Sequence, residues 1–241
     1  MVSKQEWPLD VEGLVAEQIR LASSTPPPWP VPEDRLRVAA AFVAFVRGEQ
    51  GPGHPGDRAW VGAVVVAGGR LLRSGTVRGE AAASYTPGLL ALREGPMLQA
   101  ALEPLVAEAD VLMLDATGRD HPRRAGLALH LGERLGVPSV GVTHRPLLAR
   151  GAEPDDVTGA TSPLSIDGQQ VARWVRTVAG VRPVVAHAAW RTEAATAADV
   201  VVRCLAGSRT PEPLRQARRV ARERRSAAER LHDGGEVLGH A

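Results

Sequence analysis

The sequence predicts an α/β domain, a mixed β-sheet with helices on its faces. Two patterns and one bound lead there. Between residues 36 and 79, three apolar and β-branched runs are separated by two turns, the pattern of an antiparallel meander. From residue 110 onward, short apolar runs alternate with segments of helical period, the pattern of β-α-β units. The chain has 241 residues, 44% hydrophobic and 23% charged, which suits one soluble globular domain over 1–241.

Each element has its own warrant. Residues 9–23, "LDVEGLVAEQIRLAS", carry Val11, Leu14, Val15, Ile19 and Leu21 at roughly helical spacing. "TPPPWPVP" cannot continue a helix and reads as a loop. "LRVAAAFVAFVRG" is a strand through Val43 or Phe45, and a Gly/Pro linker, "GEQGPGHPGD", comes after it. Two β-branched runs around Gly68-Gly69 then signal a hairpin. Leu89 to Ala109 reads as a helix, with Pro104 breaking or kinking its end. A strand over 110–115, a helix over 123–135, a strand over 138–143 and a polar loop over 145–167 come next. A short strand, "RPVVAHA", a helix over 192–206 and a basic tail complete the chain. There is no internal repeat.

Bulk properties exclude several functions. A net charge of +2 is too small to argue for a polyanion partner. The local run "RQARRVARERRSAAER", residues 215–230, is basic and helix-compatible, and reads either as a solvated helix with Glu–Arg pairs or as a phosphate-contacting face. Residues 219–241 are expected to form a basic helix or tail, partly mobile. One cysteine, Cys204, rules out an internal disulfide and fits a cytoplasmic protein. The N-terminus has no apolar signal core and no stretch reaches membrane-spanning length, so a soluble protein with no membrane partner is expected.

Three acids stand at informative places: Glu94 in the helix after the meander, Asp115 at a strand end, and Asp120 in the next loop. Open α/β sheets build sites at the carboxyl ends of their strands. Asp115 also reads as an acid that merely begins the loop and caps the next turn. Carboxylates without a cysteine or histidine cluster favour an oxygen-ligand ion such as Mg²⁺ over zinc, and such ions commonly serve phosphoryl chemistry. His121, Arg123 and Arg124 lie beside these acids in sequence. His121 reads as a cap or turn residue, His130 as helix packing, Arg93 as an ion-pair partner or a phosphate ligand, and Tyr85 as a loop residue packed on the domain.

"SYTPGLLALREGP" at 84–96, "DATGRDHPRRAGLALHLG" at 115–132 and "VPSVGVTHRPL" at 137–147 resemble the endonuclease V family. "EQIRLAS" at 17–23, "GDRAWVGAVVV" at 56–66 and "RTPEPLRQAR" at 209–218 extend the likeness over most of the chain, in order. The resemblance implies an RNase H-like fold: a central mixed sheet, with an antiparallel three-strand meander plus parallel strands, flanked by helices. It implies a DNA-repair type of nuclease, a hydrolase that cuts a phosphodiester near deoxyinosine or inosine in DNA or RNA using Mg²⁺ or Mn²⁺. Glu94 and Asp115 become metal-site acids, and His121 a polar catalytic residue near the scissile phosphate. Tyr85 becomes the wedge that enters the helix where the altered base leaves the stack, with Thr86, Pro87 and Gly88 of the same loop and with Arg93 and Arg123 as nucleic-acid contacts. A tyrosine offers a flat stacking face at modest entropic cost, and a glycine lets backbone approach a base.

The family pattern fails around one pocket. The family's first strand carries an aspartate at its middle, and "VAAAFVAF" at 38–45 puts Phe42 there. His144 replaces a lysine, Arg218 closes the last motif in place of histidine or aspartate, "DATG" replaces D-G-H-G, and "AHA" at 186–188 replaces G-H-R. His144 thereby joins Asp115, Glu94 and His121 as a catalytic candidate. Losing one shared carboxylate predicts weak metal binding and impaired cleavage. Two facing carboxylates without a metal repel each other. Arg218 is therefore expected to supply the missing positive charge to Glu94 or Asp115. The alternative function is a non-catalytic binder of inosine-containing or distorted nucleic acid, and a monomer is expected in either case.

Overall fold

A computed structural model of the chain describes residues 6–48 and 51–236. The end of the expected tail, 237–241, lies outside the described residues. The described residues form an eight-stranded sheet from β1 (Arg37–Phe45), β2 (Arg58–Ala67), β3 (Arg70–Glu80), β4 (Val111–Leu114), β5 (Ser139–Thr143), β6 (Thr161–Ile166), β7 (Gln169–Val175) and β8 (Val184–Ala188). Their order across the sheet is β3-β2-β1-β4-β5-β8-β7-β6. The meander β1–β3 is antiparallel, and β4 and β5 run parallel beside β1. The helices are α1 (Val11–Ala22), α2 (Leu90–Leu102), α3 (Leu127–Leu135), α4 (Ala194–Val202) and α5 (Glu212–Glu236). None is long and apolar enough to cross a membrane.

Strand alternation sorts the core into two layers. Ala39, Ala41 and Val43 of β1 face the layer built with Met97 and Leu98 of α2 and Leu129 and Leu131 of α3. Val38 and Ala40 face Val200 of α4 and Leu214 and Ala217 of α5. Phe42 continues that second set and is half-buried beneath α5.

Three elements differ from expectation. The stretch read as a polar loop contains β6, which forms a hairpin with β7 through Asp167-Gly168. Both residues have positive φ (51° and 77°), as a two-residue hairpin turn requires. Second, β8 pairs antiparallel with β5, so the parallel pairings are those of β1 with β4 and β4 with β5. Third, α3 begins at Leu127 rather than at residue 123, because Arg124 takes a left-handed backbone (φ 55°) that interrupts the turn before it. The helix after the meander stops at Leu102, just before Pro104.

One glycine sets how closely α5 approaches the sheet. Gly62 of β2 pairs with Phe42 of β1. A Cβ on Gly62 would lie 2.5 Å from the Ala221 backbone nitrogen and 2.6 Å from the Ala217 carbonyl oxygen. Backbone cannot yield as a flexible side chain does, so α5 sits where it does because position 62 has no side chain. Gly62→Ala should therefore lower the unfolding free energy by about 1–3 kcal/mol in chemical denaturation. Gly75→Ala, at a position with nothing within 4 Å, should leave it nearly unchanged.

Candidate active site and nucleic-acid interface

The ends of β1 and β4 place Phe42 and Asp115 side by side. Ala41 pairs with Leu114 in the parallel register, and each is followed by one of the two residues. Glu94, one turn into α2, faces them across a cavity of about 240 Å³ that Phe42, Phe45, Leu98 and Asp115 also line. The topology thus brings residues 42, 94 and 115 together, as the resemblance implies.

Arg218 completes the arrangement. Its Nη2 donates to Asp115 Oδ2 at 2.6 Å and its Nη1 to Thr210 Oγ1 at 3.2 Å. Its guanidinium carbon stands 5.2 Å from the centroid of the Phe42 ring, and that of Arg222, one helical turn on, stands 5.8 Å from it. The expected charge replacement is present, and Asp115 is the acid that receives it. Glu94 is left without a hydrogen-bond partner among the described residues. Burial pushes its carboxyl up to about 7, with Asp115 adding to the rise and Arg93 opposing it.

A metal fits this donor set poorly. Octahedral Mg²⁺ needs oxygen ligands and prefers several charges. One of the two acids is committed to a guanidinium, and a phenyl ring stands where the resemblance implies a third. Among the described residues, no cluster of three or more His, Cys, Asp or Glu side chains could hold an ion.

Asp120 is not an alternative ligand. It is fully buried, and its two oxygens accept from the backbone N–H groups of Leu147, Leu148 and Ala149 at 2.7, 2.8 and 2.9 Å. Its work is to pin the loop after β5. His187 lies beside it and donates through Nε2 to Thr143 Oγ1 at 2.7 Å, because that hydroxyl already donates to the Arg145 carbonyl. Burial holds the His187 ring neutral, with its pKa lowered to about 4.

A second cavity, of about 200 Å³, opens on the other side of Asp115, lined by Tyr85, Gly88, Leu90, His121 and Leu127. The two cavities share Leu90, Asp115, Ala116 and Leu127. Tyr85, the only tyrosine, is 49% exposed at its mouth. Thr86 accepts the Leu89 N–H through its carbonyl, Pro87 lines the wall, and Gly88 turns the chain at φ 79°. Three donors converge on the Gly88 carbonyl: His121 Nε2 at 3.2 Å, Arg123 Nη2 at 3.0 Å and Gln18 Nε2 at 3.1 Å. The Arg123 N–H points at His121 Nδ1, which fixes the tautomer that donates from Nε2. Burial, with Arg123 nearby, lowers the His121 pKa to about 4, so the ring is neutral.

Several candidates are bonded into the framework. Arg123 is engaged by Gln18 and Gly88, and His121 by Gly88. Arg93 fits the ion-pair reading: it is buried, bonded to Asp57 at 2.8 Å and to the Ala83 carbonyl at 2.7 Å, and stacked over Phe45. His144 is exposed, and burial and Arg209 lower its pKa. His130 is fully buried, as expected of helix packing. Sequence reasoning missed Gln18 and Arg222. For Arg222 the signal was its four-residue spacing from Arg218 within the basic run.

A mixed sheet of this order flanked by helices, with Asp115 at the carboxyl end of β4 and Glu94 facing it from α2, is an RNase H-like architecture. The family profile described as Endonuclease V matches residues 31–219. Endonuclease V of Methanopyrus kandleri is 35% identical over 230 residues, 94% of this chain and 92% of that protein. The crystal structure of endonuclease V from Streptomyces avermitilis superposes with a TM-score of 0.78 at 29% identity, covering 92% of this chain and 96% of that one. Endonuclease V of Ciona intestinalis, solved with a DNA containing an inosine, shares the fold with a TM-score of 0.74 at 20% identity, covering 90% and 98%. The chain belongs to the endonuclease V family.

Two measurements check this arrangement. Glu94 binds its proton more tightly in the folded chain than in the unfolded one, so its ionisation opposes folding. The penalty is absent below the ordinary value of 4.5, grows as pH rises, and is complete above about 7. With chelator present, Glu94→Gln should raise stability near pH 8 by on the order of 2 kcal/mol, and the difference should vanish near pH 4. Asp120→Ala strands three backbone donors and should cost about 3 kcal/mol or more in thermal or chemical unfolding.

Proposed function

We propose that this family member binds nucleic acid carrying an inosine or similarly unstacked base, and that its metal-dependent phosphodiester hydrolysis is strongly impaired. The observation that carries the reading is the Arg218–Asp115 bond above the Phe42 ring, where a nuclease of this type would place its ion. The binding half keeps its parts. Tyr85 stands half-exposed as a stacking wedge, and the cavity beneath it is sized for one ring system rather than a whole nucleotide. The neutral His121 and Arg123 keep the Gly88 carbonyl fixed at its wall. Extruding a base costs a few kcal/mol and least when the pair is already weak, which favours a deaminated base over a normal one. The inosine-containing DNA bound by the Ciona protein supports this ligand class. Retention of Glu94 and Asp115 favours a second reading, a slow nuclease.

Nicking and binding are to be scored separately on an inosine-bearing duplex, with Mg²⁺ or Mn²⁺ supplied. The native chain should bind this duplex more tightly than its unmodified counterpart and leave it uncut. The double change Phe42→Asp with Arg218→His should gain metal-dependent cleavage, because it returns a ligand and removes the competing cation. Nicking by the native chain, abolished by Asp115→Ala, would establish the second reading instead.

A further inference from the structure

The side of α5 that faces the site carries a cation, Arg222, that no acid among the described residues neutralises. Arg222 is exposed and, apart from its approach to the Phe42 ring, makes no hydrogen bond or ion pair among the described residues. Of its neighbours, Arg215 pairs with Glu212, Arg219 with Glu223 and Arg225 with Glu229, while Arg224 lines a different groove with Arg58 and Arg78. Arg218, one turn away, spends one N–H on Asp115 and one on Thr210, and its Nε has no partner. A guanidinium has five N–H donors, so each of the two arginines retains unused ones. The two lie about 6 Å apart along the helix axis. The flat Phe42 face beneath them restrains both heads.

Resting on the reading above, we propose that Arg218 and Arg222, seated over Phe42, grip a backbone phosphodiester directly, so that nucleic acid is bound at this site without a divalent ion. Guanidinium forks match the paired oxygens of a phosphate, and a charge-assisted pair here needs no ion to bridge it. Asp115 acts as a positioning residue: it fixes the Nη2 edge of Arg218, whose Nε is buried, so the phosphate is met by the second N–H groups of its Nη atoms and by the free fork of Arg222. Phe42 contributes by absence of charge. An acid at that position would repel the phosphate and draw the guanidiniums onto itself. The same three positions that are unfit for a metal are thus suited to a metal-free anion site.

The test is fluorescence anisotropy with the full chain and a labelled duplex bearing one deoxyinosine, at matched ionic strength, in EDTA and then with Mg²⁺ or Mn²⁺. Expected are tight binding in EDTA and no tightening with metal. Arg222→Gln, an exposed change that leaves packing intact, should weaken binding severalfold and make the log–log salt slope shallower by roughly 0.9. Arg70→Gln, on the far hairpin, should do neither. The proposal is overturned if metal tightens binding tenfold or more. It is equally overturned if Arg222→Gln binds as the native chain does, or if Arg70→Gln is just as damaging. In each of those outcomes the native chain still binds, and the binding reading survives. If the native chain binds neither duplex nor single strand at low salt, the binding reading falls and this proposal falls with it.

Discussion

The contact between Arg218 and Asp115 depends on a chain of small geometric facts. β4 ends at the edge of the sheet and delivers a carboxylate there, and a carboxylate in a half-buried cleft needs a counter-charge. Among the described residues, the helix packed on that face of the β1/β2 pair is α5, and it comes close because Gly62 presents no Cβ to the backbone of Ala217 and Ala221. Strand alternation then turns Phe42 toward the same helix, so its ring lies under both guanidiniums. Position 42 and position 218 are 176 residues apart in sequence, yet each is intelligible only in the presence of the other: an arginine without Phe42 would face two acids, and a phenylalanine without Arg218 would leave Asp115 unpaired.

Around that contact the loops are held by buried polar groups, most with several bonds each. Asp120 gathers three successive N–H groups of the loop after β5. His121, Arg123 and Gln18 gather on the Gly88 carbonyl, and Arg93 ties the loop before α2 to Asp57. A satisfied buried network is rigid, because any shift strands a donor at the full cost of desolvation. The consequence is a preformed cavity below Tyr85. The neutrality of His121 belongs to the same logic, since a charged ring would be an unpaired buried cation beside Arg123.

Much of this was legible in the chain and some was not, for physical reasons. The meander, the parallel strands and the Gly68-Gly69 hairpin announce themselves through β-branched runs bounded by turn residues. In the second hairpin β6 was read as loop because it is mostly polar and contains Pro163, and β7 was passed over, although Asp167-Gly168 is the same kind of signal that marked the first. The direction of β8 could not be read, since an apolar run looks alike in parallel and antiparallel neighbours. At the site, the loss of an acid at 42 and the gain of a cation at 218 were visible in the motifs. Which carboxylate Arg218 takes was not, because that depends on how far α5 leans over β1. For Arg93, Arg123 and Asp120 the motifs show a charged residue but not its hydrogen bonds, which run to Asp57, to Gln18 and Gly88, and to the backbone of 147–149.

The two remaining acids differ, and the difference decides what the site can hold. Asp115 has its guanidinium, while burial outweighs the opposing charge of Arg93 at Glu94 and Asp115 adds to it, so Glu94 keeps its proton into the neutral range. The Asp115–Arg218 pair is partly exposed, and as a stability term it is worth on the order of 1 kcal/mol. Its effect on a divalent ion is larger. Two unit charges 4 Å apart interact by about 4 kcal/mol at an effective dielectric constant of 20, and a doubly charged ion at that distance from the guanidinium meets roughly twice that repulsion. An ion entering here would have to move Arg218 aside, take the proton from Glu94, and accept one carboxylate fewer than the family arrangement provides. A phosphate oxygen meets the opposite field: it is attracted by the same guanidinium and asks nothing of Glu94. The charge balance of the cleft therefore favours an anion over a cation.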